Sequence, residues 1–253
     1  MKNAHAIILA GGKRLPDLES YCGVSHVANI PVNGVRMVER VASAFRDAGV
    51  QKITVVGAKV ADCQEAAAGL SLLGSLKNGL DLADYSDRVI LSTCDMPFLE
   101  AKEVSEFLSR QNGSTLYCAV VPVAACRDKY PELSRTSLTT AEGEFTLGNI
   151  FSGEKWVWDT VLPFVERAYK ARKNKLRLAW MLGPFIAVRY LRARTKPEVL
   201  RISDLEHRAR KLAKCPVSAV IGDWPGIGTD IDSTAHFQAA EPYFPQLVSV
   251  RTL

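Results

Sequence analysis

The stretch that decides the fold is Ala6-Ile7-Ile8-Leu9-Ala10-Gly11-Gly12, an apolar run that enters two glycines directly. A short apolar run closed by glycine reads as a buried strand entering a tight turn. The opening residues Met1 to Leu9 are too short, and too soon followed by glycine, for a signal peptide. The same grammar recurs outward along the chain. Ile53 to Val56 is a β-branched strand closed by Gly57, and Arg88 to Thr93, Leu116 to Val123 and Val217 to Ile221 are further strands. Helical spacing falls between them. Val38, Val41, Ala42 and Phe45 mark a helix over Met37 to Ala48, with Gly49 as its stop, and others are expected over 75–82, 101–110 and 233–241. Strand and helix in alternation predict an α/β fold: a three-layer α/β/α, Rossmann-like, mostly parallel sheet with helices on both faces.

Composition sets the outer bounds. The chain has 253 residues, 47% hydrophobic and 23% charged, which excludes disordered, collagen-like and disulfide-scaffold classes. That length suits a single domain over 1–253 carrying a sizeable insertion. No apolar run approaches the roughly 20 residues of a spanning helix. The six cysteines, at 22, 63, 94, 118, 126 and 215, form no CxxC pair, so reduced thiols in the cytoplasm are expected. The net charge of +5 conceals an uneven distribution: residues 167–196 hold ten Lys or Arg and no acid, leaving the rest of the chain net acidic. This stretch lies within a helical insertion expected over 155–213. Leu176 to Leu191 is apolar with basic flanks and broken at Gly183-Pro184. A pair of packed helices accounts for it; so does an amphipathic surface lying on an anionic membrane. Nucleic acid is the weaker partner, because regular aromatic interleaving is lacking.

Ligands of open α/β sheets bind beyond the carboxyl ends of the strands, and three polar clusters fall there. Gly11-Gly12 lets backbone N–H groups approach an anion or base, and Lys13 and Arg14 add positive charge; an ordinary turn would look the same. Asp95, straight after the strand Arg88 to Thr93, suits Mg²⁺, which takes one or two carboxylates plus phosphate oxygens. It would equally suit the cap of the helix near Ala101. Asp230-Ile231-Asp232 offers a second acidic site, or a cap for the last helix.

Together with Ile30-Pro31-Val32-Asn33-Gly34-Val35-Arg36-Met37, Asp95-Met96-Pro97, Thr146-Leu147-Gly148-Asn149-Ile150-Phe151 and Asp230-Ile231-Asp232-Ser233-Thr234, the Leu9-Ala10-Gly11-Gly12 turn resembles the MobA-like NTP transferase group on the GT-A (nucleotide-diphospho-sugar transferase) fold. The resemblance implies that Leu9, Ala10, Gly11 and Gly12 wrap the base and ribose. Lys13 or Arg14 would contact the triphosphate, and Ser75, within Gly74-Ser75-Leu76, would close over the base. Asp95 would position Mg²⁺ and the α-phosphate, Asp232 would be a second metal ligand, and Gly148 and Asn149 would line the acceptor pocket. Arg14, Lys13 and Asp95 are thus the expected catalytic residues. The position four before Pro31, where the family carries Lys or Arg, is Val27, with His26 beside it.

The expected activity is Mg²⁺-dependent transfer of NMP from an NTP, GTP or CTP, to a phosphorylated small-molecule or lipid acceptor, with pyrophosphate leaving. Val27 keeps open a nucleotide-binding sensor or scaffold without turnover. A nucleotide-sugar glycosyltransferase shares the fold, but the chain has the lone Asp95 where a DxD would stand.

Overall fold

A computed structural model describes residues 4–12, 16–171 and 174–244. Its strands are β1 (Ala4–Leu9), β2 (Pro31–Val32), β3 (Val35–Arg36), β4 (Lys52–Val56), β5 (Gln64–Ala66), β6 (Arg88–Thr93), β7 (Leu116–Pro122), β8 (Leu138–Thr140), β9 (Gly143–Glu154) and β10 (Val217–Ile221). Its α-helices are α1 (Pro16–Cys22), α2 (Met37–Asp47), α3 (Leu72–Leu80), α4 (Ala101–Ser109), α5 (Val123–Lys129), α6 (Lys155–Ala171), α7 (Lys175–Leu182), α8 (Pro184–Ala193), α9 (Ile202–Ala213) and α10 (Thr234–Ala240). The main sheet runs β10-β7-β9-β6-β1-β4-β5, with β8 paired to β9.

Side chains alternate across a strand, so a central strand must feed two cores. In β1, Ala6 and Ile8 join Val38, Val41, Phe45, Val104 and Phe107 beneath α2 and α4. Ile7 points the other way, to Leu76, Leu80, Val157, Trp158 and Ala213 of α3, α6 and α9. Two helix-covered faces on one sheet make the expected three layers. At the amino ends of the strands, buried His5 bridges Thr54 Oγ1 (2.8 Å) and Asp87 Oδ2 (3.3 Å).

In this mostly parallel sheet the long exception is β9. β9 is a 12-residue strand antiparallel to both neighbours, β6 and β7, and the sequence reading assigned no strand there. Its polar, glycine-bearing sequence hides it. Gly148 and Gly153 are present because neighbours occupy the side-chain space: a Cβ would lie 2.6 Å from Ile227 Cγ2 at Gly148 and 2.9 Å from Leu116 Cδ1 at Gly153. A smaller revision ends the strand from Leu116 at Pro122, where α5 takes over. β2 and β3 form a hairpin through Asn33 (φ 52°) and Gly34 (φ 78°), the left-handed pair a two-residue turn requires.

Among the described residues, 155–213 is built from α6, α7, α8, α9 and a short 3-10 turn at Pro197–Val199. α7 and α8 break at Gly183 (φ 127°), and Pro184 occupies the first turn of α8 where its missing N–H costs nothing.

Candidate active site

The in-register pairs Leu9↔Val56 and Leu9↔Thr93 bring the carboxyl ends of β4, β1 and β6 level. Three loops leave this edge and pack backbone to backbone. Ala10 donates its N–H to Val56 O (2.8 Å), and Gly57 donates to Ala66 O (2.9 Å). A Cβ on Gly11 would sit 2.8 Å from Ala68 Cβ, and one on Gly57 (φ +89°) 2.6 Å from Gly11 Cα. Gly11 is therefore required by loop packing. Gly12, with nothing within 4 Å of its Cβ position, is the glycine that leaves open backbone at the mouth. Ser75 is buried and accepts a hydrogen bond from the Gly69 N–H (3.0 Å), while Asn78 donates to Ala67 O (2.9 Å). The structure thus gathers Leu9, Ala10, Gly11, Gly12 and Ser75. Lys13 and Arg14 lie outside the described residues.

The acidic half of the site follows β6. Asp95 does not cap α4; Glu100 and Glu103 form the capping box there. Instead the Asp95 carbonyl accepts from the Ile231 N–H (2.9 Å), which clasps the 230–232 turn against the end of β6. Asp95 Oδ1 is buried and has no hydrogen-bond partner. Burial first, and the Asp230 carboxylate second, push the Asp95 carboxyl up to about 7. Asp230 is also raised, by burial and by Asp232, while a hydrogen bond from the Asn149 side chain opposes that rise. Two carboxyls that resist ionising together, one with an idle buried oxygen, fit a divalent cation. Among the described residues no cluster of three or more His, Cys, Asp or Glu accompanies them.

Asp232 stands further out. Its side chain is 66% exposed and lies 3.0 Å from His236 Nδ1, and its field on Asp95 is weaker than that of Asp230. Neither aspartate caps α10, because Ser233 accepts from the His236 N–H. The geometry thus puts Asp230 beside Asp95, a residue the sequence offered only as part of a cluster. Asn149 follows Gly148 where β9 passes the end of β6, and its N–H donates to Ile227 O (3.2 Å). Gly148 gives its free face to Ile227 and Ala119.

Three supporting side chains escaped the sequence reading. Arg135 donates to Thr229 Oγ1 (3.2 Å), Leu133 O (2.7 Å) and Tyr130 O (3.4 Å), beside Asp230, whose charge acts on it. Glu103 is buried and accepts from the Gly226 N–H (2.9 Å), and burial raises its carboxyl to about 7. Arg40 holds Pro97 O (3.2 Å) just past Asp95. Each is a charged residue in an ordinary helix or loop; only the loops folding over them give them work. Val27 lies in a short 3-10 turn and packs on the Leu18, Ile30 and Phe98 cluster.

Open α/β sheets bind ligands beyond the carboxyl ends of their strands, and this one carries a glycine turn and an acidic pair at that edge. The chain belongs to the MobA-like NTP transferase domain family, whose sequence model matches residues 6–148. Among solved structures it is similar to one titled a hypothetical transferase from Thermus thermophilus, at 27% identity and TM-score 0.80, covering 91% of this chain and 97% of that one. A nucleotidyl transferase from Methanothermobacter shares the fold at 16% identity and TM-score 0.56, over 96% and 98% of the two chains. So does 2-C-methyl-D-erythritol 4-phosphate cytidylyltransferase from Thermus thermophilus, at 18% identity and TM-score 0.54, over 95% and 98%. No curated protein matches the chain in sequence.

Proposed function

We propose that this chain transfers NMP from an NTP, GTP or CTP, to a phosphorylated acceptor, with Mg²⁺ bound by Asp95 and Asp230 and with Asp232 at the rim. The observation that carries the reading is the raised Asp95–Asp230 pair clasped to the edge where the Gly11–Gly12 turn opens. The turn and the 67–75 loop hold the base and ribose, and Lys13 or Arg14 follows on toward the triphosphate. Asn149 and the Arg135–Thr229 contact face the acceptor side. An acceptor phosphate oxygen attacks the α-phosphorus in line, the α–β P–O bond breaks, and pyrophosphate leaves with the electron pair. Holding the two reactants in register supplies much of the rate, and Mg²⁺ at the acidic pair would neutralise phosphate charge. We further propose one catalytic domain over 1–253, with 155–213 as an insertion, working in the cytoplasm; the six free thiols support a reducing compartment.

The test is a thermal-stability scan against each NTP with Mg²⁺, followed by pyrophosphate release over a panel of phosphorylated acceptors. A ligand at 100 times its dissociation constant stabilises by about 2.7 kcal/mol. Stabilisation by GTP or CTP followed by pyrophosphate release supports the proposal; no response to any NTP refutes it. One observation favours a second reading, a nucleotide-binding protein without turnover: apolar Val27 occupies the position where the family carries a cation. NTP stabilisation with no pyrophosphate release from any acceptor would decide for it.

A further inference from the structure

We infer that the α7–α8 hairpin is a docking surface for an anionic bilayer, which holds the protein flat against the membrane. The hairpin exposes an unusual amount of apolar surface. Trp180 is 56% and Phe185 72% exposed, and Val188 and Leu191 are also exposed. Phe185, Val188 and Leu191 recur at three-residue steps along α8, whereas Ile186, Ala187 and Ala193 face inward. A patch of this kind on a water-facing helix pair marks an interaction site.

Charge identifies the partner. Residues 167–196 contain ten cations and no acid. Arg177, Arg192, Arg194 and Lys196 are exposed around the apolar side chains. Acids outside the stretch answer only part of that charge: Glu166 pairs with Lys170 (2.7 Å), and Glu198 lies in the short 3-10 turn that packs on α8. Arg189 pairs with Asp204 of α9 (2.6 Å) and stacks over Phe185, and Arg208 of α9 donates to Leu182 O. Aromatic and aliphatic side chains ringed by arginine and lysine fit the headgroup layer of a membrane rich in acidic lipid. No helix among the described residues is long and apolar enough to cross a membrane, so the mode is surface attachment. A cavity of about 330 Å³ opens one turn beyond Leu191, lined by Ser137, Thr139, Tyr190 and Arg194, with hydroxyls and a guanidinium suited to a headgroup phosphate.

The placement bears on the acceptor. α8 packs on β8, and β8 pairs with β9, the strand that carries Asn149. Docking would bring the acceptor side of the site near the lipid surface, where a lipid-borne phosphate would be at hand.

The test uses the full chain and sedimentation with vesicles of phosphatidylcholine alone or with 30% phosphatidylglycerol, a composition chosen at roughly the anionic content that gives strong surface potential. The protein is expected to bind the anionic vesicles and not the neutral ones, with binding falling steeply as salt rises. Arg192→Gln, Arg194→Gln and Lys196→Gln together should lower the partition coefficient about a hundredfold, at about fivefold per charge. Trp180→Ser with Phe185→Ser should lower it about tenfold or more. Both variants carry surface changes, so melting temperature and NTP-dependent stabilisation should match wild type and verify folding. Absence of binding to anionic vesicles at low salt, equal binding to neutral vesicles, or wild-type binding by folded variants would overturn the inference. Self-association that depends on Trp180 and Phe185, without vesicle binding, would assign the face to a second copy instead. Tighter binding to duplex nucleic acid than to vesicles would assign it there. Vesicle binding is read without turnover, so its failure is separate from failure of the proposed transfer reaction.

Discussion

Replacing Asp95 with asparagine should stabilise the ligand-free protein at pH 8 and at the same time abolish its stabilisation by Mg²⁺ and NTP. The Asp95 carboxyl stands at about 7 against an ordinary value of 3.8, raised first by burial and then by Asp230. An acid whose pKa is higher folded than unfolded weakens folding wherever it ionises. That cost is absent below pH 3.8 and complete above about 7. Three pH units correspond to about 4 kcal/mol, a ceiling that the pair shares with Asp230. Asparagine removes the charge but buries an amide with an unsatisfied donor, which costs about 1–3 kcal/mol. The net gain is about 2 kcal/mol, or about 4–8 °C in melting temperature for a chain of this size. Wild-type stability should climb as pH falls from 8 toward 5, and the variant should show a flatter profile. The assay is a thermal melt from pH 5 to 8, with and without Mg²⁺ and NTP. A variant that melts lower than wild type at pH 8, keeps the wild-type pH profile and still responds to Mg²⁺ and NTP would refute the reasoning.

Gly11→Val should cost about 2–3 kcal/mol, because its side chain meets Ala68 Cβ at a 2.8 Å Cβ separation; Gly12→Val, with open space around it, should melt like wild type and lose NTP-dependent stabilisation. Comparing the two melts separates packing from binding. Glu103→Gln should flatten the pH profile further, since its carboxyl also rises to about 7 and its cost is likewise lost as pH drops toward 4.5; an unchanged slope between pH 5 and 8 would contradict this. Arg135→Gln should lower turnover severalfold with little change in NTP affinity, because it frees Thr229 beside Asp230 rather than touching the NTP turn; equal loss in NTP binding and turnover would count against that role.

The main frame was legible because strands that feed two cores are apolar throughout, as Ala6 to Leu9 and Val89 to Leu91 are. The helices announced themselves by Val38, Val41 and Phe45. β9 was not legible as a strand: its glycines answer to Ile227 and Leu116, which are distant in sequence. For the site, Gly11, Gly12 and Asp95 could be read from strand ends. The choice between Asp230 and Asp232 could not, because it depends on the Ile231 N–H reaching the Asp95 carbonyl. Gly11 reads from the sequence as a nucleotide contact; that Ala68 also leaves no room for a side chain there is visible only in the fold. The contacts that tie Arg135 to Thr229 and Glu103 to Gly226 span 94 and 123 residues, so no local pattern announces them.

Synthesis from the amino end meets this sheet out of order. β1, β4, β5 and β6 are neighbours and all precede residue 94, so they can pair as they leave the ribosome. β7 emerges with no neighbour, because its two partners are β9 and β10. Until residue 154 has been made, β7 is an unpaired apolar segment, the kind of species that recruits chaperones. The strand that carries Asn149 is therefore also the seam joining the early sheet to the late one. A substitution that spoils residues 143–154 would show first as slow assembly and aggregation during expression, before any purified protein could be assayed.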